Sequence, residues 1–110
     1  MSKAVFVRAF GGPEVLSYEE REVGDPGPGE LKVRNHAIGI NFVDVYQRTG
    51  AYQLPLPFVA GGEGAGEVLA VGPGVTEFRP GDHVGYTGPV GAYAEERLLS
   101  AARAVKLPPG

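Results

Sequence analysis

The sequence predicts a mainly β domain with one or two short helices, arranged as a partly open β-barrel. About eight short apolar runs show the period-two alternation or the β-branched composition of strands. Turn signals separate these runs, since 18 Gly and 10 Pro are spread between them. The length of 110 residues suits one compact domain. An antiparallel, barrel-like arrangement joins many short strands by tight turns and limits exposed sheet edges.

The predicted strands are each bounded by glycine or proline. They cover residues 3–10, 16–23, 31–40, 65–71, 83–87, 91–99 and 104–107. Residues 51–60 are expected to form an extended loop, because a residue that precedes proline is pushed out of the helical region. Residues 78–82 are expected to form a tight turn, with Pro80 and Gly81 in the central positions of a type II turn.

One short helix is predicted over residues 41–50. Asn41 can cap its first turn, and Asp44 stands where a carboxylate favours the positive end of a helix. Gly50 can adopt the left-handed conformation in which many helices end.

Composition excludes several classes of protein. The net charge is −3 with no basic stripe, which argues against a nucleic-acid partner. No apolar run approaches the roughly 18 residues of a membrane span. Cysteine is absent, which excludes disulfides and thiolate metal ligands and fits the cytoplasmic location that we expect. His36 and His83 could supply only part of a metal site.

A glycine cluster at residues 62–66 resembles part of a dinucleotide-binding fingerprint. That fingerprint needs a strand before the glycines and a helix after them, so that phosphate meets a helix N-terminus. Here a proline-rich stretch precedes the cluster and a β-branched run follows it. We therefore interpret these glycines as turn and close-packing positions.

Three segments in this order resemble the medium-chain dehydrogenase/reductase superfamily, in its quinone oxidoreductase branch. They are GINFVDVYQRTG at 39–50, GEGAGEV at 62–68 and GDHV at 81–84, with GGPEVL at 11–16 as a fourth sign. Their order and spacing are similar to those of the branch's N-terminal, GroES-like catalytic domain. The resemblance covers nearly the whole chain and implies a GroES-like, partly open β-barrel.

Departures from the zinc-dependent relatives are informative. In those relatives a cysteine begins the short helix and a histidine precedes the glutamate of the glycine cluster, where this chain has Asn41 and Gly62. Glu63 remains, but one carboxylate cannot replace the roughly three protein ligands of catalytic zinc. We expect Glu63 to be buried and hydrogen-bonded, and we expect no metal. The resemblance is therefore to the zinc-independent enzymes.

The resemblance implies hydride transfer from NADPH to a quinone or another α,β-unsaturated carbonyl. Tyr46, Tyr52 and Asn41 are the implied catalytic residues, since phenols and amides can donate hydrogen bonds to the substrate oxygen. The implied cofactor-side residues are Asn41, Phe42, Val43, Asp44 and Tyr46. Structural roles remain as alternatives for the three implied catalytic residues: packing for Tyr46 and Tyr52, and helix capping for Asn41.

The resemblance also implies a division of labour between domains. Residues 1–110 match the substrate-side domain, and a Rossmann nucleotide-binding domain is expected after residue 110 but is absent from this sequence. We expect this chain alone to be inactive and the full-length parent to be a homodimer. Two other functions stay open: an enoyl-thioester reductase domain of the same superfamily, and a non-catalytic GroES-like β-barrel interaction module.

Overall fold

The fold is taken from a computed structural model of the chain. It describes residues 2–39, 42–50, 54–88 and 90–107, with the backbone alone at 42, 43 and 46. Within these residues lie eight strands, one α-helix and two 3₁₀ turns. The strands form two antiparallel sheets that do not close into a complete barrel. The predicted mainly β, partly open barrel is therefore confirmed.

The elements follow the chain in a simple order. They are β1 (Ser2–Val7), β2 (Leu16–Arg21), β3 (Glu30–Ile38), α1 (Phe42–Thr49), β4 (Phe58–Val59), β5 (Glu63–Val71), β6 (His83–Thr87), β7 (Glu96–Ser100) and β8 (Ala104–Lys106), with 3₁₀ turns at Pro13–Val15 and Ala101–Arg103. The smaller sheet has the strand order β2-β1-β4, and the larger has the order β7-β3-β5-β6-β8.

The main core lies against the larger sheet, where alternate side chains of its strands point inward. It consists of Leu31, Val33, Val68, Val84, Tyr86, Ala92 and Leu99. The hydroxyl of Tyr86 donates to Oδ1 of Asn35 at 2.7 Å, so the only hydroxyl of this cluster is hydrogen-bonded. Asn35 in turn donates to the carbonyl oxygens of Ala92 and Ala94. Buried polar groups need such partners, and this network ties β3 to residues 92–94.

Residues 92–95 join the two sheets. The amide of Val5 in β1 donates to the carbonyl of Tyr93 at 2.8 Å, and the amide of Glu95 donates to the carbonyl of Lys3 at 2.9 Å. The amide of Asn35 in β3 donates to the carbonyl of Glu95 at 2.9 Å. The predicted single strand over 91–99 is therefore wrong. Its first part bonds to β1 across an isolated bridge, and only β7 runs along β3.

Several local predictions are confirmed. The strand at His83–Thr87 has the predicted bounds. The amide of Asp82 donates to the carbonyl of Arg79 at 3.1 Å around Pro80, and Gly81 has φ of +96°, as a type II turn requires. Helix α1 ends at Thr49, and Gly50 follows with φ of +89°.

One strand, β4, was not predicted from the sequence. β4 lies inside the stretch predicted as a loop, and it pairs with β1 through Phe6 opposite Val59 and Val7 opposite Phe58. Among the described residues, no helix is long and apolar enough to cross a membrane.

Candidate active site

Hydrogen bonds attach helix α1 to the rest of the domain at both its N-terminal and its C-terminal end. At its C-terminal end, the amide of Gly11 donates to the carbonyl of Arg48 at 2.9 Å. The Nε of Arg48 donates back to the carbonyl of Gly11 at 3.2 Å. Gly50 packs closely on Phe10, because an added Cβ would lie 3.0 Å from that ring. These contacts fix the end of the helix against the loop that follows β1.

In its first turn, α1 is held by a short hydrogen bond. Asp44 is 8% exposed, and its Oδ2 accepts a bond from the hydroxyl of Tyr93 at 2.6 Å. Burial, followed by the hydrogen bond to Asp44 and the charge of Asp44, raises the pKa of Tyr93 to about 12. The phenol therefore remains protonated at neutral pH and remains a donor. Sequence reasoning did not identify Tyr93 or its contact with Asp44.

The start of β5 lies next to the same region. An added Cβ at Gly61 would overlap the ring of Tyr93, and one at Gly39 would overlap the carboxylate of Glu63. The amide of Gly39 also donates to the carbonyl of Glu63 at 3.2 Å. Gly61, Glu63, Gly39 and the Tyr93–Asp44 pair thus form one neighbourhood beside α1. Glu63 itself is exposed, so the prediction that it is buried is wrong.

The glycine cluster does not form a phosphate cradle. Residues 63–66 belong to β5, which continues to Val71, so the cluster leads into a strand and not into a helix. An added Cβ at Gly66 would overlap the carbonyl oxygen of Arg34 in β3, next to an irregularity in the pairing of these two strands. The interpretation of Gly66 as a close-packing position is confirmed, because only glycine allows β3 and β5 to approach so closely here.

The predicted catalytic and cofactor residues fall into three groups. Asn41 and Tyr52 lie outside the described residues. Phe42, Val43 and Tyr46 belong to α1, but only their backbone is described. Asp44 is the one member whose side chain is described, and it bonds to Tyr93. Their predicted roles in catalysis and cofactor binding remain predictions.

Tyr93 also forms part of a second feature. With Val5, Tyr18 and Ile38 it lines a mostly apolar cleft of about 410 Å³. Its ring thus borders this cleft, while its hydroxyl reaches Asp44. Within the residues that the structure describes, no group of three His, Asp or Glu side chains could hold a metal ion.

Comparison with known proteins gives a consistent result. A quinone oxidoreductase of Pseudomonas aeruginosa is 53% identical over all of this chain and 34% of its own length. A 2-haloacrylate reductase of a Burkholderia species is 45% identical over 98% of this chain and 34% of its own. The crystal structure of Escherichia coli quinone oxidoreductase complexed with NADPH superimposes with a TM-score of 0.93 at 42% identity, over 96% of this chain and 33% of that one.

The chain spans about a third of the length of the curated relatives that it matches. Residues 27–109 match the family described as the alcohol dehydrogenase GroES-like domain. This match covers most of the chain and includes α1, β5 and the segment that carries Tyr93. The chain therefore belongs to the alcohol dehydrogenase GroES-like domain family, which confirms the family that its ordered motifs predicted.

Proposed function

We propose that the chain is the substrate-side domain of a zinc-independent, NADPH-dependent quinone oxidoreductase, with a Rossmann domain after residue 110. The observation that carries this proposal is the fixed position of α1. The Tyr93–Asp44 bond and the contacts of Gly11 hold the helix beside the start of β5. Segment 41–46 would then form one wall of a cleft in the whole protein. The likeness to quinone oxidoreductases along the entire chain supports the same assignment.

The described residues do not fit the phosphates of NADPH, because the glycine cluster continues into a strand. The bulk of the cofactor would therefore be bound by the Rossmann domain. NADPH, when bound, supplies the hydride. Our proposal for this chain is that Asn41, Phe42, Val43, Asp44 and Tyr46 face the nicotinamide end. The relative whose structure contains NADPH supports this cofactor.

On the substrate side, we assign hydrogen-bond donors to the carbonyl oxygen. Tyr46, Tyr52 and Asn41 are the proposed donors, since reduction of a quinone or enone develops negative charge on that oxygen. Tyr93 has a different role in this proposal. Because its hydroxyl is bonded to Asp44, it positions α1 rather than contacting substrate.

Two residues support the absence of zinc in this proposal. Position 62 is glycine, which offers no ligand, and an added Cβ there meets no atom of the described residues within 4 Å. Position 41 is an amide rather than a thiolate. Glu63 alone cannot complete a zinc site of about three protein ligands.

The test uses the full-length protein, in which this domain is joined to its nucleotide-binding domain. We expect quinone-dependent oxidation of NADPH that survives exhaustive treatment with a zinc chelator. Replacement of one donor, as in Tyr46→Phe, Tyr52→Phe or Asn41→Ala, should lower kcat/KM about tenfold to a thousandfold. Arg103→Gln is the control, because Arg103 is exposed in the 3₁₀ turn after β7 and lines neither the cleft nor α1. No detectable activity, or activity that requires zinc, would contradict the proposal.

A second candidate reaction is reduction of a conjugated double bond, including that of an enoyl thioester. The similarity to a 2-haloacrylate reductase favours it, since that name describes an activated alkene as substrate. Relative kcat/KM values for a quinone, a simple enone and an enoyl thioester separate the candidates. A non-catalytic interaction module is not favoured, because these relatives are named as reductases. Homodimerisation and a cytoplasmic location remain predictions for the whole protein.

A further inference from the structure

Arg97 occupies a position in β7 where the alternation of the strand predicts a core residue. Arg97 is 5% exposed, and Leu99, two places along the strand, is 1% exposed. The guanidinium carbon lies 4.9 Å from the centre of the Tyr86 ring. Two of its nitrogens donate to backbone carbonyl oxygens, those of Leu98 at 3.1 Å and Val90 at 3.3 Å. The charged guanidinium of Arg97 is thus nearly buried, and these three contacts are with neutral groups.

A second guanidinium lies close to the first. Arg21 ends β2, and one of its terminal nitrogens donates to the carbonyl of Glu96 at 2.9 Å. Its Nε is buried and has no hydrogen-bond partner within the described residues. Burial, and after it the positive charge of Arg97, lowers the pKa of Arg21. Two like charges that are partly removed from water repel each other, and an unpaired buried donor is costly.

Both arginines line one cleft of about 430 Å³ between the end of β2, strand β4 and strand β7. Its other walls are mainly apolar and include Phe6, Phe58 and Val59. Glu22 also borders the cleft but is exposed, so water screens its charge. None of the residues around this cleft belongs to the candidate active site described above.

We propose that this cleft binds a small organic carboxylate. A carboxylate matches the planar fork of a guanidinium and would give the Nε of Arg21 an acceptor. An apolar body on the same molecule would pack against Phe6 and Phe58. The volume lies within the usual range for small-molecule sites. An inorganic anion would give the Nε of Arg21 an acceptor but leave the apolar walls unfilled. This site goes beyond the proposed reductase function and stands or falls independently of it.

The first experiment is a titration of the 110-residue chain, followed by amide chemical shifts in NMR spectra. Benzoate is the probe, benzamide is its uncharged counterpart of similar shape, and phosphate is the inorganic anion. We expect saturable shifts with benzoate at residues 21–23, 58–59 and 97–98, and affinities at least about tenfold lower for both comparison compounds. Equal binding of benzamide, equal binding of phosphate, or no saturable shift at these residues overturns the proposal.

The second experiment uses variants. Arg21→Gln removes the charge at the partly exposed side of the cleft and should weaken benzoate binding about tenfold or more. Arg21→Lys keeps the charge but not the fork and should weaken it less. Arg97→Gln tests the buried arginine and should also weaken benzoate binding. If Arg97→Gln does not fold, the affinity of Arg21→Gln alone tests the proposal. Arg79→Gln is the control, since Arg79 is an exposed arginine in the turn before β6 and does not line the cleft. Unchanged affinity in Arg21→Gln overturns the proposal.

Discussion

Tyr93 connects two parts of the molecule that are distant in the sequence. Its hydroxyl bonds to Asp44, 49 positions earlier in the chain, and its backbone carbonyl accepts a bond from Val5. Sequence reasoning gave Asp44 a helix-end or cofactor-side role, because its position relative to Asn41 is local information. It could not give the partner, because pairs of this separation follow only from the three-dimensional arrangement of the strands. Arg97 was missed for a related reason, since a charged residue in an alternating run is usually placed outward.

The first prediction concerns the ionisation of Tyr93. Its pKa of about 12 in the folded state lies above the ordinary 10.0, so the stability that it contributes is complete below pH 10 and is lost between pH 10 and 12. Absorbance titration should resolve one tyrosine near 12, and this signal should disappear in Tyr93→Phe. The same variant should lose about 1–3 kcal/mol of unfolding free energy at neutral pH, because Asp44 loses this donor. Titration of every tyrosine near 10 would contradict this.

The second prediction concerns Glu19 on β2. Its carboxylate accepts two hydrogen bonds from the guanidinium of Arg8, at 2.6 and 2.8 Å. The bond to Arg8 is the main cause that lowers the pKa of Glu19 to about 2, from 4.5. Its contribution to stability is present above pH 4.5 and is lost as the pH falls towards 2. An NMR titration of the carboxyl carbon should show this value, and Arg8→Gln should return it towards 4.5. Arg103→Gln, which removes a charge elsewhere, should leave it at about 2.

At the level of elements, glycine and proline marked the ends of strands more reliably than apolar patterns marked their interiors. The turn around Pro80 and Gly81 and the strand after it were predicted with the correct bounds. β4 was missed, because two paired residues in a proline-rich stretch leave no periodic pattern. The run 91–99 was predicted as one strand, because alternation does not reveal that a chain changes its bonding partner at Glu96.

The third prediction compares two glycines of the same cluster. Gly66→Ala would force the new Cβ into the Arg34 carbonyl, so we expect a loss of about 1–3 kcal/mol or more, as for other overpacked sites. Gly62→Ala is the matched control, since its Cβ meets none of the described atoms within 4 Å, and its stability should change by less than about 0.5 kcal/mol. Urea unfolding of both variants gives the measurement. Equal stability of the two variants would contradict close packing of β5 on β3.

At the level of the whole molecule, the family was predictable and the working details of the site were not. The ordered motifs cover α1, part of β5 and the turn before β6. Asn41, Tyr46 and Tyr52 stay predictions, because Asn41 and Tyr52 lie outside the described residues and only the backbone of Tyr46 is described. The Arg21–Arg97 cleft had no signal in the sequence, because its walls come from strands far apart in the chain.

The fourth prediction concerns cofactor binding by this chain alone. The described residues provide no phosphate cradle, so the chain would contact only the nicotinamide end of NADPH. Titration followed by nucleotide fluorescence should give no saturation below about the millimolar range, which corresponds to only about 4 kcal/mol of binding free energy. The full-length protein is the comparison and should bind far more tightly. Submicromolar binding by the 110-residue chain would contradict the proposed division between domains.

The position of β1 in the smaller sheet has a consequence for biosynthesis. Lys3 and Val5 bond to Glu95 and Tyr93, which are translated much later than β1. The bonds between β1 and residues 93–95 therefore form only after most of this chain is translated, whereas β1 can pair with β2 and β4 earlier. β3 and β5 can pair during that interval, because both strands are translated before residues 93–95.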